Sequence, residues 1–189
     1  MGINMNSFEG KSYIDGISKS LKFKRLIWDT VWILLFRPSP RWALNSWRLY
    51  LLRMFGAKIG NGSRVLPTCK VWAPWNLTMG EYSVLGDNVD CYSINEVIIG
   101  DRVTVSQRAF LCGGSHDIQS LRLPLISKRI VIESFAWVCA ECFIGPGCKV
   151  AEGSIVAARS VLTKDTNEWS VYGGNPAKQI KKRVVVEHD

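Results

Sequence analysis

The fold is decided by the stretch Ile132–Leu162, which reads IESFAWVCAECFIGPGCKVAEGSIVAARSVL. Every sixth residue in it is aliphatic, and the residue four positions after each of them is small. A six-residue period fits neither a 3.6-residue helix nor a simple alternating strand. It fits a short strand followed by a corner, with three such units closing one triangular coil, the aliphatic residue pointing inward and the small residue lying at the turn. The aliphatic set is Ile132, Val138, Ile144, Val150, Val156 and Leu162; the small set is Ala136, Cys142, Cys148, Ser154 and Ser160.

The same repeat extends toward the N-terminus. Ile59, Met79 and Ile99 are each followed by glycine and lie twenty residues apart, which is three hexads plus two residues. We therefore expect a two-residue insertion at one corner of each early coil, near Asn76-Leu77 and Asn95-Glu96. The sequence predicts an all-β fold, a parallel β-helix shaped as a triangular prism over residues 59–167. Further hexad positions are Val65, Val71, Leu85, Cys91, Val105 and Leu111.

The charge of the chain is concentrated before the repeat. Residues 1–58 hold ten Lys/Arg and three Asp/Glu, a charge of +7, whereas residues 59–189 hold fourteen and thirteen, a charge of +1. This distribution is not that of a nucleic-acid-binding domain. Residues 18–36 and 40–56 are predicted to be helical, with a break at Pro38-Ser39-Pro40. They form either a cap over the first coil or a basic, aromatic surface for peripheral membrane contact.

No secretory signal is apparent, and the longest apolar run, Val31–Phe36, is far too short to span a bilayer. We expect a cytoplasmic protein, with peripheral contact at the inner face of the membrane as the alternative that the basic N-terminal segment leaves open. Cys139 and Cys142 form a C-x-x-C pair, but the repeat accounts for the cysteines as small residues, so no metal is expected.

One histidine stands where the repeat is interrupted. Between Leu111 and Ile132 the period breaks, and the intervening loop, residues 112–131, carries His116; the other histidine, His188, lies in the C-terminal extension 168–189. Loops held by a rigid scaffold often carry function. A histidine titrates near neutral pH, so His116 is the candidate general base.

Three motifs give the chain a family resemblance. Together with the hexads, they resemble those of the hexapeptide-repeat acetyltransferases, which include maltose and galactoside O-acetyltransferases. The motifs are Gly114-Ser115-His116-Asp117, residues 160–165 (SVLTKD) and residues 174–178 (GNPAK). Residues 53–60 and 72–77 are similar to the colanic-acid-biosynthesis branch. The resemblance covers roughly residues 40–183. It implies a left-handed β-helix, a homotrimer with active sites between subunits, acetyl-CoA as co-substrate and no metal.

The resemblance also implies roles for residues. His116 would take the proton of a sugar hydroxyl in surface polysaccharide biosynthesis, and a loop glycine amide would stabilise the oxyanion. Arg159 stands where many relatives have glycine. Residues 90–93 read Asp-Cys-Tyr-Ser where sugar acetyltransferases of this type often have an asparagine, so the acceptor stays open: a free, nucleotide-linked or lipid-linked sugar. The implied acetyl-CoA-binding residues are Trp137, Ala140, Ala158, Arg159, Thr163, Lys164, Lys178 and Lys181; the acceptor-binding candidates are Asp90, Tyr92 and Ser93.

Three alternatives stay open or are excluded at this stage. The same histidine would serve an amino-sugar N-acetyltransferase or a serine-type acetyltransferase. A non-catalytic solenoid that organises an assembly would not need His116 at all. A zinc carbonic-anhydrase-like site of the same fold needs three histidines, and only one lies in the repeat region.

Overall fold

The structure is a computed structural model that describes residues 16–186; His188 lies outside this range. Two helices precede a prism of five coils, and each coil contributes three short strands. The helical elements are α1 (Lys19–Val31), a π-helical turn (Trp32–Phe36), α2 (Asn45–Met54) and a 3-10 turn (Pro74–Asn76).

The strands follow one another around the prism. The first three coils consist of β1 (Lys58–Ile59), β2 (Arg64–Val65), β3 (Lys70–Val71); β4 (Leu77–Met79), β5 (Val84–Leu85), β6 (Asp90–Tyr92); and β7 (Val97–Ile99), β8 (Thr104–Val105), β9 (Phe110–Cys112). A hairpin of β10 (Gly114–His116) and β11 (Leu125–Ser127) intervenes. The last coils consist of β12 (Ile130–Ile132), β13 (Trp137–Val138), β14 (Phe143–Ile144); and β15 (Lys149–Val150), β16 (Ile155–Val156), β17 (Val161–Leu162), followed by β18 (Ser170–Gly173) and β19 (Lys178–Lys182).

Parallel pairing of equivalent strands produces three faces. The first face is β1-β4-β7-β12-β15, the second β2-β5-β8-β13-β16-β18 with β19 added at its end, and the third β3-β6-β9-β14-β17. Every contact between consecutive coils is parallel, in contrast to the antiparallel pairs β10–β11 and β18–β19. The predicted parallel β-helix prism is confirmed.

The hexad residues form the core of the prism, as the sequence predicted. The aliphatic series from Ile132 to Leu162 is at most 1 % exposed, and the small series from Ala136 to Ser160 at most 2 %. The two-residue insertions are also present: the first coil accommodates its extra length in the 3-10 turn at Pro74–Asn76. Coil four lacks the insertion. Paired residues of consecutive coils are therefore twenty positions apart at the start of the prism, as in Ile59 and Met79, but eighteen apart at its end, as in Ile132 and Val150.

The two helices cover the open end of the first coil. A terminal coil exposes strand carbonyls that no further coil can pair, and side chains from the helices supply donors. Trp28 Nε1 donates to the Val71 carbonyl at 2.7 Å, and Arg48 Nε donates to the Val65 carbonyl at 2.7 Å. Similar bonds reach the carbonyls of Cys69 from Trp32, Ser63 from Asn45 and Ile59 from Arg53.

Arg48 is the charged residue at the centre of this cap. It is 1 % exposed, and besides Val65 it donates to the Ser39 hydroxyl and to the carbonyls of Pro40 and Ala43. Burial lowers the pKa of its guanidinium, and the charge of Arg64 adds to the effect. The fork of donors on arginine allows one buried side chain to bond the segment before α2 and the edge of the prism at the same time.

Two sequence predictions need correction. The second helix begins at Asn45 and not at residue 40, because residues 40–44 form a turn that ends with Leu44 at φ 59°, outside the helical region. The prism also continues beyond residue 167: β18 pairs in parallel with β16 and adds another strand to the second face, with Tyr172 buried against the core. The signal was missed because residues 163–169 break the hexad.

Candidate active site

The functional candidates lie along two edges of the prism. The edge between the second and third faces, here the Arg corner, comprises Ala140, Glu141, Ala158 and Arg159. The edge between the third and first faces, the His corner, comprises the loop at 113–129, Gly147, Thr163 and Lys164. A strand of the third face with its turns separates the two edges in each coil.

The loop at the His corner is more regular than the sequence predicted. It contains an antiparallel hairpin in which Gly114 pairs with Ser127 and His116 with Leu125. An eight-residue turn from Asp117 to Pro124 closes it, with the Asp117 N–H donating to the Pro124 carbonyl at 3.0 Å. The Asp117 carboxylate accepts from the Gln119 N–H at 2.9 Å, a bond typical of Asx turns. His116 is thus held on a strand rather than on an irregular segment.

A backbone carbonyl orients the His116 ring. The ring Nδ1 lies 2.6 Å from the carbonyl oxygen of Leu123. A carbonyl oxygen only accepts hydrogen bonds, so Nδ1 carries the proton and Nε2 carries the lone pair of the neutral ring. Leu123 reaches this position with φ 45°, a left-handed conformation that non-glycine residues adopt at a cost. The arrangement presets the tautomer that a general base needs.

The glycines of the loop permit close contact with the coil below. A Cβ on Gly113 would lie 2.8 Å from the Tyr92 carbonyl oxygen, and one on Gly114 would lie 2.9 Å from the Tyr92 ring. The Gly113 N–H donates to the Tyr92 carbonyl at 3.1 Å, so it is not the predicted oxyanion donor. In an antiparallel hairpin, hydrogen-bonded and non-hydrogen-bonded residue pairs alternate. The Gly114–Ser127 pair is of the second kind, so the Gly114 N–H makes no hydrogen bond to the opposite strand of the hairpin.

Four of the eight implied acetyl-CoA residues lie at or beside the Arg corner. Trp137 lies on β13, is 45 % exposed and donates from Nε1 to the Ser106 hydroxyl at 2.9 Å. Ala140 lies at the turn that follows, and its carbonyl accepts from the Arg159 N–H at 2.9 Å. One coil on, Ala158 and Arg159 occupy the equivalent turn. The structure therefore brings Trp137, Ala140, Ala158 and Arg159 together.

A charged cluster crosses the same corner. Glu141 pairs with Arg159 at 2.5 Å and with Arg108. The hydrogen bonds from Arg159, and then from Arg108, lower the pKa of the Glu141 carboxyl. Arg108, Glu141 and Arg159 all have φ near 60°, the conformation for which glycine is best suited. The backbone at position 159 would suit glycine equally well, and the arginine here adds a cation to the corner.

The remaining donor candidates fall into two groups. Thr163 and Lys164 are exposed at the His corner, just after β17. Lys178 and Lys181 are exposed on β19, opposite Gly173 and Val171 of β18. The Ala177 N–H bonds the Val161 carbonyl and the Val161 N–H bonds the Gly174 carbonyl, so the residues before Lys178 close the end of the third face. Within one subunit, the implied donor residues thus lie on both sides of that face.

The three acceptor candidates differ in accessibility. Tyr92 lies directly beneath the loop glycines and contacts Trp72 edge-on at 5.5 Å. Asp90 lies at the other end of β6 and lines a cleft of about 240 Å³ with Trp32, Arg37 and Lys70; burial raises the pKa of its carboxyl, opposed by Lys70. The assignment of Ser93 as an acceptor-binding residue needs correction, because its side chain is fully buried. Its hydroxyl accepts a hydrogen bond from the Ala73 N–H and donates one to the Ala73 carbonyl.

A larger cleft lies on the second face, away from His116. Its volume is about 510 Å³, and it is lined by Arg41, from the turn before α2, and by residues of the first three coils that include Asp87, Ser106 and Arg108. Ser106 is also the residue that Trp137 bonds. The exposed tryptophan and the cleft therefore form one continuous surface, whereas the candidate base lies at the opposite edge of the third face.

Two contacts of the site were not foreseen from sequence. The Leu123 carbonyl is a backbone group, and its position depends on a left-handed residue that the letters do not reveal. Ser106 could have been found by aligning the coils, because Trp137 pairs with Thr104 and Ser106 follows on the same side of the chain. Within residues 16–186, no group of three or more His, Cys, Asp or Glu side chains could hold a metal ion, and no helix is long and apolar enough to cross a membrane.

Comparison with known proteins gives a full-length relative. The candidate colanic acid biosynthesis acetyltransferase WcaF of Escherichia coli K12 is 37 % identical over 183 residues, which cover 97 % of this chain and 100 % of that protein. The galactoside O-acetyltransferase of Lactococcus lactis is 28 % identical over 114 residues, 60 % of this chain and 50 % of its own. No family model matches the chain.

Solved structures share the architecture. A hexapeptide-repeat-containing acetyltransferase of Vibrio cholerae, complexed with acetyl coenzyme A, superposes with a TM-score of 0.78 at 23 % identity, covering 92 % of this chain and 94 % of that one. A maltose O-acetyltransferase of Clostridium difficile gives a TM-score of 0.71 at 19 % identity, covering 89 % and 90 %. At such identities the likeness concerns the fold.

Proposed function

Because the chain belongs to the hexapeptide-repeat acetyltransferase family, we propose that it transfers the acetyl group of acetyl-CoA to a sugar hydroxyl, with His116 as the general base. The observation that carries this proposal is the 2.6 Å contact between His116 Nδ1 and the Leu123 carbonyl. It leaves Nε2 as the basic nitrogen of the neutral ring. The relative in colanic acid biosynthesis supports an acceptor from surface polysaccharide synthesis.

The reaction requires one proton to move twice. An alcohol is too weak an acid to attack a thioester unaided, so Nε2 takes the hydroxyl proton while the oxygen forms a bond to the acetyl carbonyl carbon. The carbon–sulfur bond then breaks, and the imidazolium returns the proton to the leaving thiolate. The Leu123 carbonyl stabilises the imidazolium through Nδ1–H. Of the loop glycines, Gly114 is the one whose amide the hairpin leaves available for the oxyanion.

We also propose that the working unit is a homotrimer with one active site at each interface. In a cyclic trimer, one surface of a subunit meets a different surface of the next. The Arg corner and the His corner are two such surfaces. The groove between them would place Trp137 and Ala140 of one subunit against His116, Thr163 and Lys164 of its neighbour. Lys178 and Lys181 would then meet the phosphates of the donor nucleotide as cations.

The experiment compares His116→Ala with Ser115→Ala in an assay of CoA release against sugars, nucleotide sugars and amino sugars. Ser115 is the matched control, because adjacent side chains of a strand point to opposite sides. We expect His116→Ala to lose about 100-fold or more of the activity while CoA binding, measured by calorimetry, is retained. Equal activity of the two variants would show that His116 is structural. Turnover of amino sugars alone would replace O-acetylation with N-acetylation.

A further inference from the structure

Helix α1 is apolar on two opposite sides. Trp28 and Phe36, at 1 % and 0 % exposed, pack toward the prism. On the far side of the same helix and of the π-helical turn that continues it, Phe23, Leu26 and Leu34 are 66 %, 63 % and 65 % exposed. A soluble helix normally places polar residues on its outer side, and a helix that is apolar all round is normally covered on both sides.

Helix α2 continues the exposed apolar surface. Trp47, Tyr50 and Met54 recur at helical spacing and are 38 %, 53 % and 62 % exposed, while Leu51 and Leu52 on the other side are buried. The Trp47 indole donates to the Leu35 carbonyl at 3.1 Å, so the outer sides of the two helices adjoin. This joint surface is called the end face below; it comprises Phe23, Leu26, Ile27, Ile33, Leu34, Leu35, Trp42, Leu44, Trp47, Tyr50 and Met54.

The charge around the end face is almost entirely positive. Residues 16–58 contain nine Lys/Arg and a single acidic residue, Asp29, a charge of +8. Asp29 pairs with Arg25 at 2.9 Å. Lys19, Lys22 and Arg37 are exposed on or beside α1. Exposed aromatic and aliphatic side chains surrounded by Lys and Arg characterise a helix that lies in the plane of an anionic bilayer.

We propose that the end face docks on an anionic lipid surface, with the prism axis directed away from it. The charge argues against a second copy as the occupant, because joining two end faces would bring the exposed cations Lys19, Lys22 and Arg37 of both copies together. If the subunits form a parallel trimer, three end faces point in the same direction and bind the surface together. The inference does not require the acetyltransferase assignment, since docking needs neither donor nor acceptor.

The test measures co-sedimentation of the full chain with vesicles of pure phosphatidylcholine and with vesicles containing about one third phosphatidylserine. We expect binding to the anionic vesicles at least about tenfold tighter, and its loss in about 0.5 M salt. The variant Leu26→Glu/Leu34→Glu places two carboxylates in the end face. The matched control, Val184→Glu/Val185→Glu, makes the same charge change at residues that are 82 % and 56 % exposed near the other end of the prism.

The two double variants decide the outcome. We expect the end-face variant to bind anionic vesicles at least about tenfold more weakly than the control variant, with unchanged circular dichroism. Absence of wild-type binding to anionic vesicles, or an equal loss in both variants, would overturn the proposal. So would self-association of the wild type in vesicle-free buffer that the end-face variant abolishes, since a second copy would then be the occupant.

Discussion

Mixing two inactive variants tests whether each active site is shared between subunits. One variant is His116→Ala, which disables the His corner. The other is Trp137→Ala/Lys178→Glu, which alters the donor side; Trp137 is 45 % exposed and Lys178 lies on the exposed strand β19, so folding should be unaffected. We expect each variant alone to retain at most about 1 % activity, because loss of an aromatic contact and reversal of a charge together cost about 3 kcal/mol or more.

The size of the rescue follows from the geometry. Each side of the prism is six residues long, so at about 3.3 Å per residue the two corners are roughly 20 Å apart within a subunit. In the proposed arrangement, Trp137 and His116 of one subunit therefore contribute to two different sites, because a base must come within about 3 Å of the proton it removes. In random trimers from equal amounts of both variants, each of the two corners at an interface is intact with a probability of one half. Both are intact at about one quarter of the interfaces, so about one quarter of the wild-type activity is expected.

The assay co-expresses the variants with different affinity tags and measures CoA release after purification through both tags. This purification discards trimers of one kind, so the expected rescue rises to about one third of the interfaces. His116→Ala mixed with His116→Gln is the control and should stay inactive. Mixed trimers of the two complementary variants with no more activity than the control would refute the shared site.

Two further predictions concern stability. Gly153→Ala should lower the free energy of unfolding in urea by about 1–3 kcal/mol, because Gly153 has φ 64° and its Cβ would lie 2.5 Å from the Trp169 ring. The loss should be smaller in a Trp169→Ala background. An equal loss in both backgrounds would contradict the clash. Burial raises the pKa of Cys91 to about 12, so between pH 9 and 12 the folded chain keeps a proton that the unfolded chain loses. The free energy of unfolding should therefore fall with rising pH, by up to about 1.4 kcal/mol per pH unit from this thiol. Measured at pH 8.5 and 10.5 in reductant, the stability of Cys91→Val should fall less steeply than that of the wild type. Identical pH slopes for the two proteins would exclude the effect.

The sequence was most informative where a residue's role depends on its neighbours along the chain. Val138 and Cys142 recur with the coil, and both proved buried at the expected phase. The family motif also pointed to His116, whose role as the base stays a prediction. It could not reveal that Leu123 orients the ring, because that contact is made by a carbonyl whose direction depends on a left-handed residue. Ser93 was misassigned because a buried serine bonding a backbone has the same letter as one that binds a sugar.

The number of stacked coils also sets the distance between the end face and the His116 hairpin. The end face lies below the first coil and the His116 hairpin leaves after the third, so at about 4.8 Å per coil the hairpin emerges roughly 10 Å above the first strands. Coils two and three share the same twenty-residue register, Met79 on Ile99. Insertion or deletion of twenty residues there would preserve both the helical end and the hairpin while raising or lowering the histidine by one step. A change in the number of coils could thus set the height of the His116 hairpin above the end face and leave the hairpin itself unchanged.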